Sequence, residues 1–155
     1  MHWLWLAVFV IICEGVGGVA GFVSSASVSQ WYSHLNKPSW NPPSWVFGPV
    51  WTLLYLLMAV CVWLIWRRVG FAQAGGAYTL FAIQLGLNFM WSILFFRMHN
   101  PGLAMLDLIF LWLAIVATGF VFGRIYPLAG WLWIPYIIWV AFAGILNWRI
   151  WMLNR

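Results

Sequence analysis

Five apolar runs, separated by polar stretches, dominate the pattern of hydrophobic and polar positions along the chain. Each run approaches the roughly 20 residues that an α-helix needs to cross the hydrocarbon core of a bilayer. The pattern therefore predicts an all-α integral membrane protein, with one domain over residues 1–155. The predicted transmembrane helices are 3–23, 45–66, 76–96, 102–122 and 130–151. Three connections are short, which predicts antiparallel neighbours in a compact bundle, and the first, residues 24–44, is predicted to be a long loop.

The first run has one feature of a cleaved signal peptide, because small residues follow it at 24–26. Three other features oppose that interpretation: no Lys or Arg precedes the run, it is longer than a usual signal core, and Glu14 interrupts it. We therefore expect a retained helix.

The composition supports membrane insertion, since 66% of the residues are hydrophobic and only 6% are charged. The net charge of +5 comes from seven Lys and Arg that all lie outside the apolar runs or at their ends. Such placement is typical of loops and snorkelling side chains, not of a nucleic-acid-binding patch. A multi-pass protein of the cytoplasmic membrane is expected, with the outer membrane as the alternative. The cations divide too evenly between the two sides to decide the orientation.

Polar residues within the runs indicate which helix faces point inward, because they are costly in lipid. In the third run, helical spacing puts Gln84, Asn88, Trp91 and Ser92 on one stripe. Similar stripes are Trp51, Tyr55 and Met58 in the second run, Asp107, Leu111, Ala114 and Thr118 in the fourth, and Trp139, Ala143 and Asn147 in the fifth. Hydrogen bonding between helices is the expected role of Gln84 and Asn147. For Asn88 that role and ligand contact stay equally open.

Two carboxyl groups, Glu14 and Asp107, fall inside predicted spans. An intramembrane carboxyl is a functional candidate, but no chain of proton-relay partners accompanies either one, so a role in helix packing is favoured. Cys13 and Cys61 lack metal-ligand spacing and are expected to be buried hydrophobes, with no metal bound. The motifs of nucleotide binding, zinc hydrolysis and Ser/His/Asp catalysis do not occur in the sequence.

The most specific motif lies between the first two runs and reads Trp31-Tyr32-x-x-Leu35-x-Lys37-Pro38-x-Trp40-x-Pro42-Pro43-x-Trp45, followed by Pro49-Val50-Trp51-Thr52 and Leu54-Tyr55. Later segments are Gln84-Leu-x-Leu-Asn88 before Phe95-Phe96, Ala104-x-x-Asp107, and Pro135-Tyr136-x-x-Trp139-x-Ala-Phe-Ala143-x-x-Leu146-Asn147. Together they resemble the translocator protein / tryptophan-rich sensory protein family, TspO/MBR, and the chain looks like a microbial member.

This resemblance implies a five-helix bundle, often a homodimer, whose cavity is closed at one end by the first loop acting as a lid. Family members bind tetrapyrroles such as protoporphyrin IX, and benzodiazepine-site ligands. No cofactor is required, and a porphyrin would be a ligand. Carried over by position, the ligand-binding residues are Tyr32, Pro42, Pro43, Trp51, Tyr55, Asn88, Trp91, Trp139 and Ala143. Lys37 or the loop backbone is the candidate partner for porphyrin propionates.

Three functions are compatible with this resemblance. The first is a membrane-embedded receptor or sensor for tetrapyrroles. The second is light- and oxygen-dependent porphyrin degradation, with Trp51 and Trp139 as the candidate redox residues, and the third is transport of porphyrin or another small amphipathic molecule. Sterol binding is in doubt, since Leu146-Asn147-Trp148-Arg149 lacks the tyrosine of the cholesterol motif found in animal members.

Overall fold

A computed structural model of the chain describes residues 2–155, and these form five long α-helices and no strand. All five helices are long and apolar enough to cross a membrane. The predicted all-α, five-helix integral membrane fold is therefore confirmed. The helices are α1 (His2–Gln30), α2 (Ser44–Val69), α3 (Gly75–Ser92), α4 (Pro101–Ile125) and α5 (Pro127–Leu153), and α3 continues into a π-helical segment, Ile93–Arg97.

The helix ends follow local sequence signals. Gly70 adopts a φ of +67° after the last residue of α2, a left-handed conformation that suits a residue without Cβ. The Asn100 side chain accepts a hydrogen bond from the Leu103 backbone N–H at 2.9 Å and caps α4. Pro101 and Pro127 occupy the first turns of α4 and α5, where a missing N–H costs nothing. Short connections therefore reverse the chain between successive helices.

The predicted loop 24–44 is wrong at its beginning, because α1 continues to Gln30 and the connection covers only residues 31–43. The apolar run ends near residue 23, but the serines beyond it remain helical. Ser24 donates to the Ala20 carbonyl at 2.7 Å, and Ser29 donates to the Ala26 carbonyl at 3.1 Å. Because these hydroxyls are satisfied by the preceding turn, a polar composition does not end the helix here.

The helices form a closed ring in the order α1, α2, α5, α4, α3. At the end remote from the 31–43 loop, the ring interior is filled by fully buried side chains, including Met58, Ile65, Phe122 and Trp133. Between helices in lipid, such packing has no hydrophobic driving force and depends on close van der Waals contact. The ring is therefore solid at one end, and its other end holds the cavity described below.

Gly17 of α1 packs directly against the Tyr55 ring of α2. A Cβ at this position would lie 2.5 Å from the Tyr55 ring, whereas a Cβ at Gly15, Gly18 or Gly21 would meet no atom within 4 Å. The two glycines of Gly17-x-x-x-Gly21 therefore have different surroundings. Gly17 packs against an aromatic ring, and Gly21 faces open space.

Gly17→Ala should lower the free energy of unfolding by about 1–3 kcal/mol, the usual cost of overpacking a filled interior. The matched control is Gly15→Ala on the exposed face of the same helix, which should be neutral or stabilising because alanine favours helix. Thermal unfolding followed by circular dichroism in detergent measures both variants. Equal melting temperatures of the two variants would show that packing of the Tyr55 ring does not require a glycine at position 17.

Candidate ligand cavity

A cavity of about 490 Å³ lies between the helices next to the 31–43 loop. Its wall comes from α1, α2, α5, the end of α3 and the π-helical segment, whereas α4 contributes no lining residue. This volume is within the usual range of small-molecule sites, and the wall is mostly apolar with a few polar groups.

The structure brings seven of the nine sequence-predicted ligand residues into the wall of this one cavity: Tyr32, Trp51, Tyr55, Asn88, Trp91, Trp139 and Ala143. Pro42 and Pro43 are not among the lining residues. Pro42 instead accepts a hydrogen bond from the Asn41 side chain at 2.9 Å, and the Pro43 carbonyl accepts the Val46 N–H at the first turn of α2. The two prolines therefore shape the entry of the chain into α2.

A buried chain of hydrogen bonds joins three helices at the inner end of the cavity. The Tyr55 hydroxyl donates to Asn88 Oδ1 at 2.7 Å, and Asn88 Nδ2 donates to the Tyr136 hydroxyl at 2.8 Å. Tyr136 donates onward to Gln84 Oε1 at 2.7 Å. Gln84 thus bonds between helices, as expected, and Asn88 combines a place in the cavity wall with a structural role.

A second link orients Trp91. Its indole N–H donates to Asn147 Oδ1 at 3.1 Å, and Asn147 Nδ2 donates to the Pro101 carbonyl at 2.8 Å. Asn147 therefore bonds between helices, as expected from its position on α5. Because both ends of its amide are occupied, the Trp91 ring is held in one orientation in the wall.

Aromatic rings provide most of the flat surface of the cavity. Trp51 lies 5.8 Å from Tyr55 between ring centroids, and Trp139 lies 6.0 Å from Phe47 in an edge-to-face arrangement. The Trp139 indole N–H is buried and finds no acceptor among residues 2–155. Orphaned buried donors are uncommon in native proteins, and this one belongs to a residue that lines the cavity.

The π-helical segment Ile93–Arg97 adds two lining residues that are absent from the predicted stripes, Phe95 and Phe96. The α-helical spacing cannot put consecutive residues on one stripe, whereas the wider turn of a π-helix lets both reach the cavity. Trp91 stacks on Phe95 with centroids 5.3 Å apart. Short π-helical segments are frequent at functional sites. Phe95 continues the stripe four residues after Trp91, so spacing offers a signal for it, whereas for Phe96 the Phe-Phe pair is the only signal.

The α1 side of the wall was also missed, since it presents small residues instead of aromatic ones. Gly17, Gly18, Gly21 and Ser24 line the cavity together with Glu14, which is half-buried one turn before Gly17. Hydrophobic patterning does not identify such a surface, because a glycine stripe also serves helix packing. On this side of the cavity, space for a large ligand exists because the glycines of α1 have no side chain.

The 31–43 loop contributes Tyr32 to the cavity wall and is tied internally by Lys37. The ammonium donates to the carbonyls of Tyr32, Ser33 and Leu35 at 2.8, 3.2 and 3.0 Å and lies 4.9 Å from the centroid of the Tyr32 ring. Lys37 is not a lining residue. The Lys37 ammonium therefore makes its hydrogen bonds within the loop. This geometry does not support the expectation that Lys37 binds the carboxylates of a ligand.

Tyr32 joins the loop to the cavity wall. Its hydroxyl donates to Asn41 Oδ1 at 3.0 Å across the loop. Burial raises the pKa of this phenol, although the hydrogen bond to Asn41 opposes the shift. The hydroxyl therefore stays protonated and donates at neutral pH.

Two contacts hold the loop against the rest of the bundle. The Asn36 N–H donates to Asn154 Oδ1 at 2.9 Å, and Asn154 Nδ2 donates to the Asn36 carbonyl at 2.8 Å. Trp31 stacks on His99 with ring centroids 4.4 Å apart. The loop is thus fastened by the end of α5 and by the turn before α4, and we call residues 31–43 the lid.

The TspO/MBR family profile matches residues 9–152 of the chain. The chain belongs to the TspO/MBR family. Over 99% of both chains it is 38% identical to the tryptophan-rich protein TspO of Archaeoglobus fulgidus. It is 38% identical to the translocator protein of Sus scrofa over 90% of this chain and 86% of the pig protein. The tryptophan-rich sensory protein of Cereibacter sphaeroides is 35% identical over 99% of this chain and 94% of that relative. The resemblance stated from the TspO/MBR motifs is confirmed, and the chain is a multi-pass integral membrane protein.

Asn154→Ala should loosen the lid, because it removes both hydrogen bonds to Asn36. At about 1 kcal/mol per bond, amide hydrogen exchange across residues 31–43 should accelerate between several-fold and about 30-fold. Exchange measured by mass spectrometry tests this expectation. The control is Arg155→Ala, whose guanidinium lies over Trp151, 5.7 Å from its centroid. Equal exchange in both variants would mean that Asn154 does not fasten the lid.

Proposed function

We propose that this protein is a membrane-embedded receptor that binds a tetrapyrrole such as protoporphyrin IX in the cavity beneath the lid. The observation that carries the proposal is the convergence of Trp51, Trp91 and Trp139 from three helices on one cavity. Offset or edge-on contact with aromatic rings favours a large planar ligand and adds to the gain from apolar burial. Other hydrophobic ligands, including those of the benzodiazepine-site type, would use the same surface.

The charge of the wall supports one orientation of a porphyrin. Among residues 2–155, no Lys or Arg lines the cavity, and Glu14 lies toward its inner end. Ionised propionates would be costly to bury there without a partner. The ligand would therefore place its ring between the indoles and its propionates toward the lid and the water beyond it.

The solid end of the bundle supports binding over transport. Below the Tyr55 to Gln84 hydrogen-bond chain, the interior is filled by fully buried side chains such as Met58, Ile65 and Trp133. Passage of a porphyrin across the membrane would require this packed layer to separate.

We expect proteoliposomes to bind protoporphyrin IX without accumulating it faster than protein-free vesicles. Protein-dependent accumulation in the lumen would favour the transporter instead.

Trp51→Ala and Trp139→Ala should each weaken protoporphyrin IX binding by about two- to thirteenfold or more, since an aromatic contact contributes about 0.5–1.5 kcal/mol beyond area burial. Titration of porphyrin fluorescence in detergent gives the dissociation constants. The matched control is Trp131→Ala on α5, whose indole is 71% exposed on the outer surface.

The control protein should bind as the unsubstituted protein does. Unchanged affinity in both cavity variants would rule out this cavity as the porphyrin site, and equal loss in all three would point to general destabilisation. Location in the cytoplasmic membrane and assembly as a homodimer stay predictions.

A further inference from the structure

Glu14 is the one acidic residue among those that line the cavity, and no Lys, Arg or His within residues 2–155 shares that wall. It lies about 24 Å along α1 from the Gln30 end, at 1.5 Å per residue. Tyr32 of the lid therefore lines one end of the cavity, and Glu14 lies toward the other, near the middle of the α1 span. An intramembrane carboxyl without a cationic partner in its surroundings is a functional candidate.

The neighbours of Glu14 are suited to a positive group. Gly17, one helical turn further on, packs on the Tyr55 ring, and Trp51 lies beside Tyr55. Aromatic faces attract cations through their quadrupole, most strongly where water is excluded. An ionised carboxyl on the same cavity wall as these rings also accepts a strong hydrogen bond from an N–H donor. The inner end of the cavity thus combines the two kinds of group that recognise organic cations.

Asp107 shows that this arrangement is particular to Glu14. Asp107 is 8% exposed, lies on α4 and does not line the cavity, and its Oδ2 atom has no hydrogen-bond partner among residues 2–155. The two intramembrane carboxyls therefore have different surroundings. Asp107 is buried against helices, and Glu14 is open to a ligand.

We propose that Glu14 makes the cavity selective for planar aromatic ligands that carry a cationic or strongly hydrogen-bond-donating nitrogen at their inner end. This inference rests on the proposed use of the cavity as a ligand site and adds the charge class of its preferred ligands. An aromatic cation pairs its nitrogen with Glu14 while its rings contact Trp51 and Trp139. A carboxylate at the same end of the ligand is repelled, which also fixes the orientation proposed for porphyrins.

Three tricyclic aromatics of similar shape test the charge preference directly: 9-aminoacridine, which is a cation at neutral pH, neutral 9-methylanthracene, and the anion anthracene-9-carboxylate. Equilibrium dialysis in a non-ionic detergent, with protein-free micelles as the partition blank, gives each affinity without any porphyrin. We expect the order cation, neutral compound, anion. A wild-type protein that binds the anion as tightly as the cation overturns the proposal, whatever the behaviour of any variant.

Glu14→Gln keeps the size of the side chain and removes its charge. Binding of 9-aminoacridine should fall about tenfold or more, as for loss of a hydrogen bond to a charged group, and binding of anthracene-9-carboxylate should rise. Asp107→Asn is the matched control and should leave the order unchanged. Equal effects of the two variants, or none in Glu14→Gln, contradict the proposal. Protoporphyrin IX titrated in parallel separates the two hypotheses: porphyrin binding without a charge order refutes only the role of Glu14, and absence of all binding refutes the site itself.

Discussion

The hydrogen-bond chain from Tyr55 through Asn88 and Tyr136 to Gln84 is the interaction on which the cavity depends. Helices in lipid gain nothing from excluding water between them, so a hollow bundle needs specific contacts to keep it from closing. Each bond contributes about 0.6 kcal/mol on average, and the three together about 2 kcal/mol. Their geometric effect is larger, since they fix the separation of α2, α3 and α5 at the depth where the empty space begins.

This chain also divides the interior into two layers with different packing. On one side, large apolar side chains fill the space between the helices. On the other, α1 supplies Gly18 and Gly21 where a bulkier residue would occupy the cavity. The cavity is therefore the product of small residues on one helix and large rigid rings on its neighbours. The rings are held in place by their own hydrogen bonds, as Trp91 is by Asn147.

Much of this architecture is predictable from sequence, for physical reasons that differ by residue. Helix number follows from run length, and Asn88 and Trp139 are identified as inward-facing because polar or amphipathic groups inside an apolar run avoid lipid. The end of α1 is not predictable in this way, since the serines after residue 23 are polar yet satisfy their hydroxyls within the helix. Phe96 is missed because α-helical spacing assigns it to another face than Phe95. Pro42 and Pro43 belong to the family motif, and the sequence therefore suggests that they bind the ligand. They instead shape the start of α2 and do not line the cavity.

The pairing of Asn36 with Asn154 has a practical consequence for work with this protein. The residues just after α5 are fastened to the lid, so the neighbourhood of Asn154 is not an inert place for a label. A fluorophore attached to a side chain beside Asn154 would act on the same asparagine that holds the lid in place. Reporters joined at the N-terminal end of α1, on the opposite side of the membrane, would leave the entrance of the cavity undisturbed.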